Sequence, residues 1–116
     1  MIRKYQGCLL GLAIGDALGA PVEFLSLEEA LAISLYCSLK FSDNFERGTL
    51  AAVNHSGDSD STGSITGAIL GTLLGVQSIP KSWVQKVEGS DRIKKIVDDM
   101  FRVFQNGKEL SLKDFI

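Results

Sequence analysis

Residues 7–19 read GCLLGLAIGDALG and residues 63–75 read GSITGAILGTLLG, so both stretches carry glycine at every fourth position. A spacing of four keeps all the glycines of a helix on one face. Glycine inside a helix costs about 1 kcal/mol relative to alanine, so eight of them need a structural reason. We predict that the two bare faces pack against each other, or each against another helix, with little side-chain material between them. A membrane glycine zipper and a backbone left bare for a ligand are the alternatives.

The rest of the chain also has a helical period, and no segment alternates like a strand. Ser26 and Glu29 form a capping-box start, Asp43 and Glu46 form a second, and Ser82 is a candidate cap for a short turn. Helices are predicted over residues 4–20, 26–40, 43–54, 61–76 and 90–106. The fold class is therefore predicted as all-α, a compact helical bundle in a single domain over residues 1–116.

Composition narrows the class of protein. The chain has 116 residues, 45% of them hydrophobic, which is enough for one domain with a buried core. Its 12 basic and 14 acidic residues form no cluster of one sign, so nucleic acid is not expected as a partner. Cys8 and Cys37 both lie in apolar helical patterns, and two buried, reduced thiols favour a cytoplasmic protein.

The N-terminal segment resembles a signal peptide only superficially. Asp16 interrupts the apolar run, and Pro21 and Glu23 stand where small residues would precede a cleavage site. Neither apolar segment reaches the ~18–20 uncharged residues that a bilayer requires. Secretion and membrane insertion are therefore not expected.

Residues 54–63, NHSGDSDSTG, concentrate oxygen donors ahead of the second glycine-rich segment. Carboxylates and hydroxyls are the ligands that Mg²⁺ prefers, and the start of a helix attracts anions. Asp58, Asp60 and Ser61 are therefore candidate metal ligands. Simple N-capping is the alternative, but one aspartate would suffice for a cap.

An antiparallel arrangement of the two glycine-rich helices would gather up to four carboxylates. Asp16 and Glu23 lie near the C-terminal end of the first helix, whereas Asp58 and Asp60 precede the fourth. An aspartate in an apolar helix is costly unless it is bonded or ligated, so Asp16 either contacts a neighbouring backbone or supports a site. Glu23 at a loop entry is equally compatible with an ordinary surface glutamate.

Two long motifs resemble those of the ADP-ribosylglycohydrolases. Residues 7–24, GCLLGLAIGDALGAPVEF, resemble the opening motif of that family. Residues 27–40 resemble the helix before its last metal motif, residues 54–61 resemble that motif itself, and the match continues through Trp83. The N-terminal motif thus lies within residues 1–24 and the C-terminal motif within 27–89, with a further helix in 90–116.

The resemblance implies an all-helical enzyme with two Mg²⁺ ions that hold the ribose of ADP-ribose while water cleaves its bond to a modified side chain. By position, Asp58, Asp60 and Ser61 would be metal ligands, with Ser61 at a position where threonine is usual. Glu23 matches a glutamate that some members use near the scissile bond, which makes it the candidate catalytic residue. Asp16, Ser56 and Gly57 are candidate supporting residues, and Ser56 replaces a common glycine.

The chain departs from the family pattern in one respect that concerns activity. Only Leu25 and Ser26 separate the two motifs, where family members place most of their length, including a Thr-Asp-Asp segment with the other metal ligands. No Thr-Asp-Asp occurs here, and the only adjacent pair, Asp98 and Asp99, has the pattern of a solvated helix face. The chain therefore resembles an internally deleted glycohydrolase with an incomplete ligand set.

Three hypotheses follow. The first is a hydrolase acting on ADP-ribosylated proteins, with its site completed across a homo-oligomer. The second is a non-catalytic remnant, or a helical interaction module, with weak binding of Mg²⁺ or phosphate at most. The third is a membrane glycine zipper, which Asp16 and the amphipathic pattern of residues 90–105 disfavour. Self-association is predicted, because a shortened chain leaves helix faces uncovered.

Overall fold

The computed structural model describes residues 2–19, 27–54 and 59–106. Every regular element within these ranges is helical, which confirms the predicted all-α class. In chain order the elements are α1 (Ile2–Gly19), α2 (Leu27–Lys40), α3 (Phe45–Val53), α4 (Ser59–Leu74), a 3₁₀ turn (Val76–Ser78), α5 (Lys81–Lys86) and α6 (Ser90–Asn106).

Helices α1 and α4 form the centre of the fold, and their glycine faces meet directly. Gly7 lies against Gly71, Gly11 against Gly67, and Gly15 against Gly63. The residue number rises along α1 as it falls along α4, so the two helices are antiparallel. A Cβ atom on any of these glycines would lie closer than 3.0 Å to a carbonyl oxygen of the facing helix. The prediction that the two glycine faces pack against each other is confirmed, and we call these three pairs the glycine ladder.

The hydrophobic core forms beside the glycine ladder. Phe45 is 1% exposed, and a Cβ on Gly11 would lie 3.2 Å from its ring carbon Cε2. The large side chain on α3 therefore fills the space that the glycine of α1 leaves open. The other buried members of this cluster are Leu10, Ile14, Leu70, Ile79 and Val84.

Several helix boundaries differ from the sequence-based predictions. Helix α3 is capped by Asn44 rather than Asp43, because the Asn44 side chain accepts a 3.0 Å hydrogen bond from the Arg47 N–H. Ser82 lies inside α5 and does not cap it; Pro80 precedes this helix, and its carbonyl accepts from the N–H of Trp83. Helix α4 ends at Leu74 because Gly75 has φ +82° and ψ 166°, a conformation that only glycine adopts readily.

The two cysteines differ in burial. Both thiols are free; Cys37 is buried on α2, whereas Cys8 on α1 is only half-buried. Burial raises the pKa of the Cys37 thiol, although the positive charge of Lys40 opposes the shift. The prediction of two buried thiols is therefore correct for Cys37 and wrong for Cys8.

Within residues 2–19, 27–54 and 59–106, no helix is both long enough and apolar enough to cross a bilayer. The glycine repeats of α1 and α4 instead serve the contact between these two helices.

Replacing Gly67 by alanine is expected to destabilise the fold, although alanine is the better helix former. The added methyl meets the Gly11 carbonyl, which belongs to the main chain of α1 and cannot move aside as a side chain can. Overpacking costs up to about 3 kcal/mol, against about 1 kcal/mol gained in helix propensity, so we expect a net loss of about 2 kcal/mol in the free energy of unfolding. Chemical denaturation measures this change. The exposed Thr72→Ala on the same helix is the control, and equal stability of both variants would contradict the close approach of α1 and α4.

In a Cys8→Ser background, Cys37 is expected to react with a thiol reagent at pH 8 at least about tenfold more slowly than a free cysteine does. Its raised pKa lowers the fraction of thiolate, and its burial blocks access of the reagent. Reaction rates in native buffer and in denaturant measure this difference. Equal rates in native buffer and in denaturant would show that the reagent reaches Cys37 in the folded chain, and would contradict its burial on α2.

Candidate functional site

The glycine ladder determines which helix ends lie together. Its last pair joins Gly15 to Gly63, so the last turn of α1 lies beside the first turn of α4. Asp16 follows Gly15 directly, and Asp60 lies three residues before Gly63. The antiparallel contact, which the sequence left as one possible arrangement, therefore brings the backbone positions of these two aspartates to the same end of the helix pair. We call this place the acidic corner.

Asp60 and Ser61 lie in the first turn of α4 rather than ahead of it, because the helix begins at Ser59. The prediction that Asp60 precedes the helix is therefore wrong by two residues. A cap residue must precede the first helical residue, so neither Asp60 nor Ser61 has the position of an N-cap. Both side chains are half-buried. A carboxylate in the first turn is also stabilised by the partial positive charge of the helix start.

Thr62 anchors this first turn to the neighbouring helices. Its side chain is fully buried, and its Oγ1 donates a 2.6 Å hydrogen bond to the carbonyl of Ala52 near the end of α3. The last carbonyls of a helix have no partner within it, so this hydroxyl satisfies a group that would otherwise be unpaired. The position of Asp60 and Ser61 is therefore set by the side chain that follows them.

Helix α2 adds a second set of hydrogen bonds to α4. The Oγ of Ser34 donates to the carbonyl of Thr62 at 3.2 Å and to Ala30 of its own helix at 2.6 Å. Thr66 donates in turn to the carbonyl of Ser34 at 3.5 Å. Ser34, Thr62 and Thr66 are not among the site residues predicted from the sequence. The sequence feature that could have identified the two threonines is their spacing: they are four residues apart and each directly precedes a glycine of the repeat. This spacing places two hydroxyls on one flank of α4.

Several predicted site residues lie outside the described ranges. These are Glu23, Ser56, Gly57 and Asp58. Asp16 is described as part of α1, but its side chain is not. Among the predicted site residues, Asp60 and Ser61 are therefore the two whose side chains the structure describes.

The donor chemistry of these two residues fits a hard cation, but their number does not form a complete site. A carboxylate and a hydroxyl are oxygen donors of the kind that Mg²⁺ accepts. Consecutive residues of a helix do not face each other, so Asp60 and Ser61 need further donors from another segment. Among the described residues, no group of three or more histidine, cysteine, aspartate or glutamate side chains is placed to hold a metal.

An apolar hollow lies alongside the C-terminal half of α1, between this helix and α5. It has a volume of about 310 Å³ and is lined by Ile14, Leu18, Trp83, Lys86 and Val87. Ligand pockets range from roughly 300 to 1,000 Å³ and enclose most of their ligand. This hollow is at the lower limit of that range.

Replacing Thr62 by valine is expected to destabilise the chain by about 1–3 kcal/mol, because the shape is retained while the Ala52 carbonyl loses its partner. Thermal or chemical unfolding measures the loss. Thr72→Val, at an exposed site whose hydroxyl bonds only to Ala68 of its own helix, is the matched control. A Thr62→Val variant as stable as this control would contradict the anchoring role of Thr62.

Comparison with known proteins identifies relatives for both halves of the chain. The family model described as ADP-ribosylglycohydrolase matches residues 1–32 and 27–109. The chain is similar to ADP-ribosylarginine hydrolase Tri1 of Serratia proteamaculans, with 39% identity over 59 residues, which covers 51% of the chain and 16% of the relative. It is similar to ADP-ribosylhydrolase ARH3 of Mus musculus, with 26% identity over 87 residues, covering 66% of the chain and 24% of the relative.

A third relative is the ADP-ribosyl-[dinitrogen reductase] glycohydrolase of Rhodospirillum rubrum. Its identity is 37% over 46 residues, which covers 40% of the chain and 16% of the relative. No solved structure matches the chain significantly.

The matches thus account for about a sixth to a quarter of the length of these relatives. The family model nevertheless covers most of the chain, and its two matched stretches contain α1 and α4, the helices joined by the glycine ladder. The chain belongs to the ADP-ribosylglycohydrolase family.

Proposed function

We propose that the acidic corner binds ADP-ribose in a Mg²⁺-dependent way and is part of a site that hydrolyses the N- or O-glycosidic bond between ADP-ribose and a protein side chain. The observation that supports this most is the antiparallel glycine ladder. It brings the last turn of α1, with Asp16, beside the start of α4, with Asp60. Residues that are 44 positions apart in the chain thereby come to one end of a helix pair.

In this proposal each site residue predicted from the sequence has a role that its chemistry allows. Asp58, Asp60 and Ser61 would hold Mg²⁺, and Asp16, Ser56 and Gly57 would shape the surroundings. Mg²⁺, when bound, would supply polarisation of the ribose hydroxyls. Glu23 would act in proton transfer, by accepting a proton from the attacking water while the glycosidic bond breaks. The oxygen of water would end on the anomeric carbon, and the released side chain would gain the proton.

The anchoring hydrogen bonds support the proposal because a metal ligand must be held in place. Thr62 ties the turn that carries Asp60 and Ser61 to α3, and Ser34 ties it to α2. A turn held from two sides loses little further freedom when it binds an ion, so less binding free energy is spent on ordering it.

The second candidate function is a non-catalytic helical module with weak binding of Mg²⁺ or phosphate. Two observations favour it. The sequence has no Thr-Asp-Asp segment. The described residues also contain no cluster of three or more potential metal-binding side chains of the histidine, cysteine and acidic types. Binding without hydrolysis would identify this alternative.

Calorimetric titration with ADP-ribose, with and without Mg²⁺, tests the proposal. We expect binding that requires Mg²⁺ and that weakens at least about tenfold in Asp60→Asn, as typically follows from disturbing a metal site. Asp58→Asn should have the same effect. Asp91→Asn is a matched control, because Asp91 also follows a serine at the start of a helix, α6, but is not in the acidic corner.

Absence of heat at millimolar ligand, with the fold intact by circular dichroism, would contradict the proposed site. If the Asp60→Asn and Asp91→Asn variants bound ADP-ribose with equal affinity, the binding site would lie elsewhere on the chain. If binding requires Mg²⁺, release of ADP-ribose from arginine- and serine-linked peptides then distinguishes the hydrolase from the binding module.

A further inference from the structure

Helix α2 has the reverse of the usual arrangement of a surface helix, with small residues inside and large apolar residues outside. Its buried side chains are those of Ala30, Ser34, Cys37 and Ser38. Four of its large apolar side chains face solvent: Leu31 is 47% exposed, Leu35 46%, Tyr36 61% and Leu39 78%. We call Leu31, Leu35 and Leu39 the leucine ridge. They are spaced by four residues, so they form one continuous row along the helix.

The contact between α2 and α4 explains why the leucines are outside. Ser34 lies close enough to α4 to bond the Thr62 carbonyl, and Thr66 bonds the Ser34 carbonyl. Ser38 donates to the carbonyl of Ser34 in its own helix, at 2.7 Å. This side of α2 is therefore closely packed by small groups, and a leucine there would force the two helices apart. The fold does not use the leucine ridge, and a contiguous exposed apolar row is typical of an interaction surface.

The charges of α2 indicate which partner fits this ridge. Both acidic residues of its first turn, Glu28 and Glu29, precede the ridge, and its basic residue, Lys40, follows it. Glu28 is seven residues before Leu35 and thus on the same face of the helix. The Lys40 ammonium lies 5.6 Å from the centre of the Tyr36 ring, at the edge of the exposed face. An antiparallel copy of the same helix would set its acidic end beside this lysine, whereas a parallel copy would bring like charges together.

We propose that two copies of this chain associate through their α2 helices, packed antiparallel about a twofold axis at Leu35. Leu35 then faces Leu35 of the second copy, and Leu31 faces Leu39. Such an interface uses the same surface twice, which is the usual form of a symmetric dimer. In this register positions 28 and 29 of one copy face positions 42 and 41 of the other, so Lys40 is the basic group that can pair with Glu28 or Glu29, while Asp43 lies one position beyond the residue that faces Glu28. This association is independent of the acidic corner and does not rest on the proposed hydrolase activity.

Sedimentation velocity over a range of protein concentrations, on the wild-type chain and two leucine variants, tests the proposal. We expect a wild-type dimer and a rise of at least about tenfold in the dimer dissociation constant for Leu35→Glu, because two charges would be buried at the axis. Leu12→Glu is the matched control, since Leu12 is a leucine of similar exposure, 43%, on α1. Leu12 is four residues after Cys8 and so on the same face of α1. Cys8 and Ala68 line a hollow on that flank of the α1–α4 pair, whereas Thr66 contacts α2 on the other flank.

Disulfide trapping tests the antiparallel register. Under mild oxidation, a mixture of Leu31→Cys and Leu39→Cys chains should yield the mixed 31–39 disulfide, identified by mass spectrometry, while each variant alone should not crosslink at these positions. Eight residues of helix separate the like positions by about 12 Å, which exceeds the roughly 7 Å that a disulfide spans between Cα atoms.

Three results would overturn the proposal. The first is a wild-type chain that stays monomeric at every concentration. The second is a Leu12→Glu variant that dissociates the dimer as strongly as Leu35→Glu. The third is a 31–31 or 39–39 disulfide formed in preference to the mixed one, which would indicate a parallel arrangement. Because residues 31, 35 and 39 are exposed, their substitution leaves the core intact, and circular dichroism of each variant checks this.

Discussion

The close approach of α1 and α4 is the constraint on which the rest of the structure depends. Three glycine pairs bring the two backbones together, and no side chain larger than hydrogen fits at these positions. Such contact forfeits helix propensity, at about 1 kcal/mol for each glycine, but it fixes both the separation and the register of the two helices. Because the register is fixed along the whole contact, the ends of the helices are fixed as well, including the end that carries Asp16 and Asp60.

The same constraint divides the fold into two kinds of packing. The apolar side chains of Leu10, Ile14, Phe45 and Leu70 form an ordinary core. Between α2 and α4 the contact is made instead by hydroxyl groups and small side chains, with Ser34 bonded to Thr62. Hydrogen bonds can replace apolar burial there only because each buried hydroxyl finds a carbonyl partner. The leucines of α2 are consequently left on the outer surface.

Membership of the ADP-ribosylglycohydrolase family is the ground for proposing a metal-dependent role for the acidic corner. The relatives are about four to six times longer than the segments that they share with this chain. In this chain, the stretches that match the family model include the paired helices α1 and α4 and the turn that carries Asp60 and Ser61, held by Thr62. A site of this kind depends on donors from several segments, since adjacent residues of one helix cannot surround an ion. Whether the chain is active therefore depends on which ligand groups come together at the acidic corner.

Sequence alone determined the helical class, the approximate extent of each main helix, the glycine faces suited to close packing and the family, because glycine spacing and long motifs are local patterns with direct structural consequences. Only the structure decided that the two glycine faces meet each other and that the helices run antiparallel. The sequence did not determine the cap at Asn44, the start of α4 at Ser59, or the partner of the Thr62 hydroxyl. It also did not reveal that the leucines of α2 face outward. Periodicity identifies which residues share a face of a helix, but only the packed structure decides whether that face is turned towards the core or towards solvent, because that choice depends on how closely the neighbouring helices approach.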